Sequence, residues 1–405
     1  METSTGSTTQ PYSRHEPEAG ALENEVLRRY GNGAEEMESG LCCPINYDTT
    51  YLEVIPQEII EKDYGCGDPS KYVRDSETVL DLGSGGGKIC YILSQKVGAS
   101  GSVIGVDFND RMIALARKHQ NQIADAIGYS NVDFRKGKIQ DLALDLDKLN
   151  AWLNSHPVLT VEDLHDFDAE CARLRREEPL VADNSVDVVV SNCVLNLVRP
   201  EDKELLFREI HRVLRPGGRA VISDIVCDED PTPAILADPE LWSGCISGAF
   251  RKDVFLEKFE QAGFHGVTIL ERQAESWQTI DGIEFRSLTL EATKSAKALD
   301  LDLKQAVVFK GPWKEVQDEH GMVYPRGYRT AVGSAAFARL TDPNGPYHHY
   351  IIPIEPLGAV DPKKAIVFDS SSPRLRSPRE TRGKEYGLTV TSNGDDCCGS
   401  NDCGC

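Results

Sequence analysis

Three cysteines stand in settings that favour chemistry over simple packing. Cys66 lies between two glycines, Cys193 ends an apolar β-prone stretch, and Cys245 lies in a run of glycine and serine. These three lack the local C-x-x-C pairing that tetrahedral zinc commonly uses. Isolated thiols instead suit a soft ion that prefers a trigonal pyramid of sulfur ligands, such as As(III). Each cysteine, taken alone, is equally compatible with a small buried side chain.

A second candidate site follows the apolar stretch 78–82, where Asp81 precedes a glycine-rich turn and a segment of helical spacing. A strand, a glycine turn and a helix allow the backbone to approach a nucleotide-like ligand closely. A carboxylate before the turn favours a cationic ligand over a pyrophosphate, which prefers N–H groups and positive charge. Asp107 ends the next apolar stretch, at a spacing expected for an acid that binds ribose hydroxyls.

The stretch from Asp81 to Gly87 resembles the first motif of class I S-adenosylmethionine-dependent methyltransferases. The resemblance implies an α/β fold, with a Rossmann-like, mostly parallel seven-stranded sheet and S-adenosylmethionine as the methyl donor. It also implies contacts to the methionine portion, the ribose and the adenine, and an aromatic side chain that closes over the cofactor. The residues expected there are Asp81, Gly83, Gly85, Asp107, Ile139, Gln140 and Tyr64.

Several further stretches resemble the arsenite S-adenosylmethionine methyltransferases, and the Ser-Asn-Cys-Val-x-Asn-Leu motif is the most specific of them. The resemblance covers about residues 40–294 and continues more weakly through two short turns near residues 310 and 325. It implies that Cys66, Cys193 and Cys245 bind As(III), with the other thiols accessory. The matching stretches are 64–67, 81–87, 90–91, 191–197 and 242–245, and the accessory thiols are Cys42, Cys43, Cys397, Cys398, Cys403 and Cys405.

The resemblance also implies a mechanism, used for arsenic detoxification or biotransformation. Arsenite or methylarsenite exchanges onto thiolates, so binding releases protons from the three thiols. The arsenic lone pair faces the sulfonium methyl, and no general base is needed because the nucleophilic atom carries no proton. Methylation raises arsenic formally to As(V). Cys66, with Cys193 or the Cys42–Cys43 pair, returns it to As(III) by forming a disulfide, which thioredoxin or glutathione reduces.

The elements that must position these residues alternate between strands and helices. The central stretch 185–193 is apolar on both faces, as in a buried parallel strand, and Cys193 lies at its carboxyl end. Ligands of open α/β sheets bind at that edge. The predicted strands are 77–82, 102–107, 131–136, 185–193, 219–224, 267–272 and 284–292, and the predicted helices are 87–97, 109–127, 203–214 and 251–262.

Composition changes along the chain predict five segments. They are a mostly disordered segment 1–40, although residues 21–30 have helical spacing, a lid 41–76 that carries Cys66, a methyltransferase domain 77–295, a small domain 296–368 and a flexible cysteine-rich tail 369–405. A charged helical insertion, 143–180, interrupts the methyltransferase domain before the Cys193 strand. Residues 306–313 and 328–340 are β-prone, which indicates a β-rich second domain.

The bulk composition excludes several classes of protein. The chain has 405 residues, of which 40% are hydrophobic, and a formal net charge of −21. This charge argues against nucleic acid as a partner, because phosphate contacts need clustered Lys and Arg. No apolar run approaches the roughly 20 residues of a membrane span, and the polar N-terminus does not resemble a signal peptide. We therefore expect a cytoplasmic protein that associates with neither nucleic acid nor membrane.

Two alternatives use the same residues differently. A class I methyltransferase acting on carbon or oxygen of another metabolite would not need Cys193 or Cys245, and it leaves the Cys66 turn unexplained. A thiol protein that sequesters arsenic or heavy metals would use the terminal cysteine cluster and would bind no methyl donor. Cysteine substitution distinguishes the first alternative, and titration with S-adenosylmethionine distinguishes the second.

Overall fold

A computed structural model describes residues 20–36, 38, 45, 47–295, 300–371 and 374–381 of the chain. The chain divides into two compact units, Met1–Ser295 and Ala296–Cys405. None of the helices in the described ranges combines the length and apolarity needed to cross a lipid bilayer.

The first unit is built on one sheet, whose central strands are buried on both faces. The strands are β1 (Thr78–Leu82), β2 (Ser102–Asp107), β3 (Val132–Lys136), β4 (Val186–Asn192), β5 (Leu214–Cys227), β6 (Phe250–Arg251), β7 (Phe264–Arg272), β8 (Gln278–Ile280) and β9 (Ile283–Lys294). Their order is β3-β2-β1-β4-β5-β9-β7, with β6 paired to β5 and β8 to β9. Strands β1 to β5 pair in parallel, and β9 runs antiparallel to β5 and β7. The predicted seven-stranded path is therefore present, with two short strands added.

Helices of the first unit pack on this sheet and supply two apolar clusters, one on each side of the central strands. The helices are α1 (Ala21–Gly33), α2 (Gln57–Glu61), α3 (Lys88–Val97), α4 (Asp110–Lys118), α5 (Gln120–Ile127), α6 (Leu146–Leu153), α7 (Val161–Glu177), α8 (Lys203–Val213), α9 (Pro233–Leu236), α10 (Pro239–Ser243) and α11 (Lys252–Gln261). Side chains of the β4 valines 188–190 are completely buried between these layers. Helices on both faces explain why this strand reads as a continuous apolar run.

One helix prediction needs correction, and a second agrees with the structure. The single helix predicted for 109–127 is broken at His119, whose ring lies 2.8 Å from a carboxylate oxygen of Glu58. The segment 1–40, predicted to be mostly disordered, contains α1, which agrees with its helical spacing. Asn109 of the loop before α4 donates to the Leu27 carbonyl at 3.1 Å, so α1 is held against the sheet's ligand-binding edge.

The charged insertion folds as a two-helix segment that leaves the sheet and returns to the same place. Its helices α6 and α7 share a small apolar cluster that contains buried Cys171. The chain enters and leaves side by side, because the N–H of Val181 donates to the Leu142 carbonyl at 2.8 Å. The insertion therefore lengthens the chain between β3 and β4 without displacing either strand from its place in the sheet.

The second unit has its own apolar core around Val307, Phe309 and Phe337. Its elements are β10 (Ala306–Phe309), β11 (Glu315–Gln317), β12 (Val323–Pro325), β13 (Arg329–Ala331), α12 (Ser334–Thr341), β14 (Ile351–Ile354) and α13 (Pro378–Thr381). The three-stranded sheet has the order β13-β10-β14, and β11 and β12 form a separate pair, all antiparallel.

Two features of the second unit differ from the sequence expectation. Residues 334–341, within the stretch predicted as β-rich, form α12, because its alanines favour a helix and Asp300 accepts from the Ala335 N–H at 2.8 Å. Residues 374–381 belong to this unit, although composition had ended it at residue 368. The completely buried side chain of Arg376 pairs with Asp302 at 2.7 Å. The ordered second unit thus continues past the predicted start of the tail.

Candidate active site

A cleft opens at the carboxyl ends of β1, β2 and β4, where the strand order of the sheet reverses. Such a switch point is the usual ligand site of an open α/β sheet. The cleft measures about 670 Å³, and its lining includes Asp81, Asp107, Asn192 and Cys193. Adjacent strands β1 and β4 thus bring the predicted cofactor residues and one predicted thiol to the same cavity.

Asp81 is buried at the floor of this cleft. Burial raises the pKa of its carboxyl to about 8, although a hydrogen bond from Cys90 opposes the shift. The Cys90 thiol donates to the Asp81 carboxylate at 3.2 Å, which assigns this cysteine a supporting place beneath the cleft. A cationic ligand would favour the charged carboxylate, because an opposite charge offsets the cost of desolvation.

Asp107 is held by the glycine turn that follows β1. Its carboxylate accepts from the N–H of Gly85 at 2.9 Å and from the N–H of Asn109 at 2.8 Å. Burial raises the pKa of this carboxyl as well. The Ser84 hydroxyl in the same turn is buried and has no partner among the described residues. Two acids and an unsatisfied hydroxyl fit a ligand that carries positive charge and hydroxyl groups, as S-adenosylmethionine does.

The cleft continues into a smaller apolar pocket of about 420 Å³ that is lined by Ile139, Gln140 and Phe108. Val26 of α1, Val194 and Leu197 line both cavities. An apolar extension beyond Asp107 suits a flat base such as adenine. The structure therefore places Ile139 and Gln140 in a pocket that adjoins the cleft, and α1 covers both cavities.

The three predicted thiols converge beside the cleft, and all are buried. The sulfur atoms of Cys66 and Cys193 and a carboxylate oxygen of Asp224 lie within 4.8 Å of one another. The Cys245 thiol donates to the Cys193 carbonyl at 3.0 Å. A hydrogen bond to Cys193 and burial raise the pKa of Cys245 well above its ordinary value, so the resting thiol is protonated.

Asn192 ties the Cys66 loop to the end of β4. Its side-chain oxygen accepts from the N–H groups of Cys66 at 2.9 Å and Gly67 at 3.0 Å. Its amide nitrogen donates to the Gly67 carbonyl at 2.8 Å and to the Tyr47 hydroxyl at 3.1 Å. One side chain thus satisfies three backbone groups of a loop that lies 126 residues away in sequence.

The glycines beside Cys66 allow close packing around this loop. A Cβ added to Gly65 would lie 2.2 Å from the Asn192 side-chain nitrogen, and one added to Gly67 would lie 2.6 Å from the Ser223 hydroxyl. Only glycine permits this approach. Cys66 is in consequence only 6% exposed, so its thiol is buried rather than protruding.

Asn196 performs the corresponding task for the Cys245 loop. Its amide nitrogen donates to the Cys245 carbonyl at 3.1 Å and to the Ile225 carbonyl at 2.7 Å. A Cβ on Gly248 would lie 1.9 Å from the Asn196 backbone oxygen. Cys193 and Cys245 both adopt the left-handed region, with φ of 63° and 64°. Such φ values are uncommon for non-glycine residues and often occur where packing imposes a functional geometry.

Asp224 brings charge to the thiol cluster. Its carboxylate is completely buried and accepts from the N–H groups of Leu195 at 2.9 Å and Ile225 at 2.8 Å. Burial raises the pKa of Asp224 to about 7 and lowers the pKa of Lys203 to about 8, and attraction between the two opposes both shifts. Neither residue is predicted as part of the site, because the sequence signal for Asp224 is only an acid inside the apolar stretch of β5.

Helix α1 lies against both the cleft and the thiol cluster. The hydroxyl of Tyr30 lies 3.7 Å from the Cys245 sulfur. The hydroxyl of Tyr64 donates to the Gly33 carbonyl at 3.0 Å, and the Tyr30 and Tyr64 rings meet edge to face, with centroids 6.0 Å apart. Tyr64, predicted to close over the cofactor, lines the cleft and anchors the end of α1. Tyr30 is not predicted as a site residue, since helical spacing alone does not indicate which surface a helix covers.

The predicted accessory thiols lie outside the described residues. These are Cys42, Cys43, Cys397, Cys398, Cys403 and Cys405. Cys171 and Cys227, which lie outside the three-thiol cluster, are also buried.

Comparison with known proteins identifies relatives. Residues 74–172 and 164–263 match a family described as a methyltransferase domain, and residues 296–386 match a domain of unknown function (DUF8838). An arsenite methyltransferase from Aquipseudomonas alcaligenes is 31% identical over 72% of this chain and 78% of that protein. One from Halobacterium salinarum is 36% identical over 58% of this chain, and the match spans about half of that protein, 51%.

A crystal structure also resembles this chain. It is that of an arsenic(III) S-adenosylmethionine methyltransferase from Chlamydomonas reinhardtii, with a TM-score of 0.51 and 25% identity. The match covers 81% of this chain and 100% of that one. Together with the family match of residues 74–263, it confirms the fold class predicted from the glycine-turn motif.

Proposed function

This chain belongs to the arsenite methyltransferase family, and from that membership we propose that it transfers methyl groups from S-adenosylmethionine to trivalent arsenic bound by Cys66, Cys193 and Cys245. The observation that supports this assignment most strongly is the buried thiol cluster at the edge of an acidic cleft. Neither alternative accounts for it. A carbon or oxygen methyltransferase has no use for three converging thiols, and a sequestering protein has no use for the cleft.

Arsenite binding replaces oxygen by sulfur around arsenic. Each As–O bond exchanges for an As–S bond, and the thiol proton leaves with the oxygen as water. The raised pKa of Cys245 keeps that thiol protonated until the metalloid arrives, so arsenic rather than solvent pH drives its ionisation. Three sulfur ligands leave a lone pair on arsenic as the nucleophile. The site therefore needs no general base.

The residues of the cleft fit the methyl donor. When bound, S-adenosylmethionine supplies an electrophilic methyl group on a positively charged sulfonium. Asp81 would face the positively charged methionine portion and Asp107 the ribose hydroxyls, while Ile139 and Gln140 would flank the adenine. Helix α1 would exclude water, since Val26 lines both cavities and Tyr30 reaches the thiol cluster.

The proximity of Cys66 and Cys193 supports a reductive role for these thiols. Their sulfur atoms lie within 4.8 Å of each other. Two thiolates that form one disulfide release two electrons, which return methylated As(V) to As(III). A dithiol such as thioredoxin, or two molecules of glutathione, then reduces the disulfide by exchange. The enzyme would act on arsenite and on methylarsenite, which needs only two sulfur ligands.

The proposal is tested with arsenite, reductant and S-adenosylmethionine labelled in the methyl group, with the products separated by methylation number. We expect label in methylated arsenic with the wild-type chain. Label that appears only on an added carbon or oxygen acceptor would favour the other methyltransferase. Arsenic bound without transfer, and without affinity for S-adenosylmethionine, would favour sequestration.

A further inference from the structure

We propose that Cys66, Cys193 and Asp224 form a binding site for a thiophilic divalent cation, of the Zn²⁺ or Cd²⁺ class, which overlaps the metalloid site. Cys66 and Cys193 serve both ligands. The third protein ligand differs, being Asp224 for the divalent cation and Cys245 for arsenic. A divalent cation in this site would compete with arsenite. The competition rests on the proposed function, whereas the cation site itself does not.

The distances support this assignment. The two sulfur atoms and the Asp224 oxygen lie within 4.8 Å of one another. In a tetrahedral zinc site with the usual bond lengths, sulfur and oxygen ligands are about 3.6 to 3.8 Å apart. Small rotations of the side chains therefore suffice. With three protein ligands, a fourth position stays open to water, as in many zinc sites that exchange a ligand.

The backbone orients the carboxylate toward the sulfur atoms. The two Asp224 oxygens accept from the N–H groups of Leu195 at 2.9 Å and Ile225 at 2.8 Å, and the Asn196 N–H also stabilises this carboxylate. A carboxylate has about four acceptor positions, so three N–H donors leave room for a cation. Hydrogen bonds of this kind, made to a ligand by its neighbours, hold it in place and strengthen metal affinity.

Charge balance also suits a divalent ion. Two thiolates and a carboxylate carry three negative charges, so a bound divalent cation leaves a net charge of −1. Lys203 is half-buried nearby, and Asp224 is the strongest of the charges that attract it. Its ammonium group donates to the Gly248 carbonyl at 2.5 Å. The complex with a protonated Lys203 is therefore neutral, which reduces the cost of burying the ion.

The same geometry separates the two ligands chemically. Trivalent arsenic binds best to three thiolates and gains little from a carboxylate. The Cys245 sulfur points to the Cys193 carbonyl and is not among the ligand atoms that lie within 4.8 Å of one another. Zinc and cadmium accept mixed sulfur and oxygen ligands. One pair of cysteines can thus serve two ligands that require different third partners.

The test uses the full chain with the six accessory cysteines changed to serine, namely Cys42, Cys43, Cys397, Cys398, Cys403 and Cys405. Cd²⁺ alone is titrated into the reduced protein, and the ultraviolet cadmium–thiolate absorption is recorded. We expect one tightly bound ion. Cys193→Ser should abolish the signal, Asp224→Asn should weaken Cd²⁺ binding about tenfold or more, and Cys245→Ser should weaken it much less.

Arsenite titrated into the same variants should give the opposite order, with Cys245→Ser more damaging than Asp224→Asn. Retained affinity for S-adenosylmethionine verifies that each variant is folded. If Asp224→Asn does not fold, X-ray absorption is measured on the zinc-loaded chain that lacks only the six accessory cysteines. This measurement counts the sulfur and oxygen atoms bound to zinc. Two sulfurs with oxygen support the proposal, and three sulfurs overturn it.

Absence of Cd²⁺ binding, or equal losses in Cys245→Ser and Cys193→Ser, would also overturn the proposal. Failure of arsenite methylation together with the expected Cd²⁺ result would reject the proposed function and leave the cation site standing.

Discussion

The cofactor half and the thiol half of the site are built in different ways. Asp81, Gly85 and Asp107 come from one short stretch of chain, in which β1 and β2 pair in parallel and Asp81 aligns with Gly105. The thiols come from three distant segments, and the ties to Asn192 and Asn196 span 126 and 49 residues. The cofactor half is thus encoded locally, whereas the thiol half depends on a few long-range contacts. It follows that small changes should damage arsenic chemistry without harming cofactor binding.

The largest expected separation comes from Cys193→Ser. This change removes the thiol that lies between the other two, and we expect methylation of arsenite and methylarsenite to fall by about 100-fold or more. Affinity for S-adenosylmethionine should stay within about twofold, because the cleft residues on β1 and β2 are untouched. Product analysis and calorimetric titration measure the two effects. Cys171→Ser, in the insertion, is the matched control. Normal turnover of Cys193→Ser would contradict the thiol assignment.

A smaller separation is expected from single methyl groups placed in the two thiol loops. In Gly248→Ala the new carbon would meet the Asn196 backbone at 1.9 Å, and in Gly65→Ala it would meet the Asn192 side chain at 2.2 Å. Because displacement of a reacting group by about 1 Å can lower the rate about 100-fold, we expect the rate of arsenic methylation to fall by about 10- to 100-fold. The larger loss is expected in Gly248→Ala, because there the backbone must move. Gly358→Ala, with nothing within 4 Å, is the control. Equal loss of cofactor affinity in either variant would show that the halves are coupled.

The pH dependence of cofactor binding probes the other half. Burial raises the pKa of Asp81 to about 8, so below that pH a cationic ligand must displace a proton. The affinity for S-adenosylmethionine should therefore rise by about tenfold between pH 7 and pH 9, and close to one proton should be released on binding at pH 7. Calorimetry in buffers of different ionisation enthalpy measures this proton. Asp81→Asn should bind more weakly and remove the release, and an unchanged release would assign the proton to another group.

The smallest effect is expected from removal of the four terminal thiols. Truncation after residue 369 would remove these thiols and also Arg376, the buried partner of Asp302. Loss of that ion pair should destabilise the second unit by about 3 to 5 kcal/mol. Truncation after residue 383 removes the four terminal cysteines and keeps that pair. We expect its maximal rate at saturating arsenite to change less than about twofold, with a larger loss at scarce arsenite, where tethered thiols raise the local concentration. Complete loss of activity at saturation would place the tail in the catalytic site. Thermal unfolding distinguishes the two truncations.

The alternation of strands and helices, the acidic glycine turn and the three unusually placed cysteines can all be predicted from the amino-acid sequence. These features depend on hydrophobic periodicity and on residues within one turn of each other, so they can be predicted without a structure. The boundaries of β1, β2 and α3 follow the pattern to within a residue. The helix α12 was missed, since β-prone neighbours outweighed its alanines and its cap is Asp300, more than 30 residues earlier in the chain.

The convergence of the three thiols is visible only in the folded chain. Asn192 and Asn196 are visible in the motif, but their partners at Cys66 and Cys245 depend on which loops reach the end of β4. Asp224 was read as the end of a strand, and only the packing of β5 beside β4 brings its carboxylate to two sulfurs. Such contacts leave no periodic signal, because they join atoms that the sheet brings together from segments tens to more than a hundred residues apart.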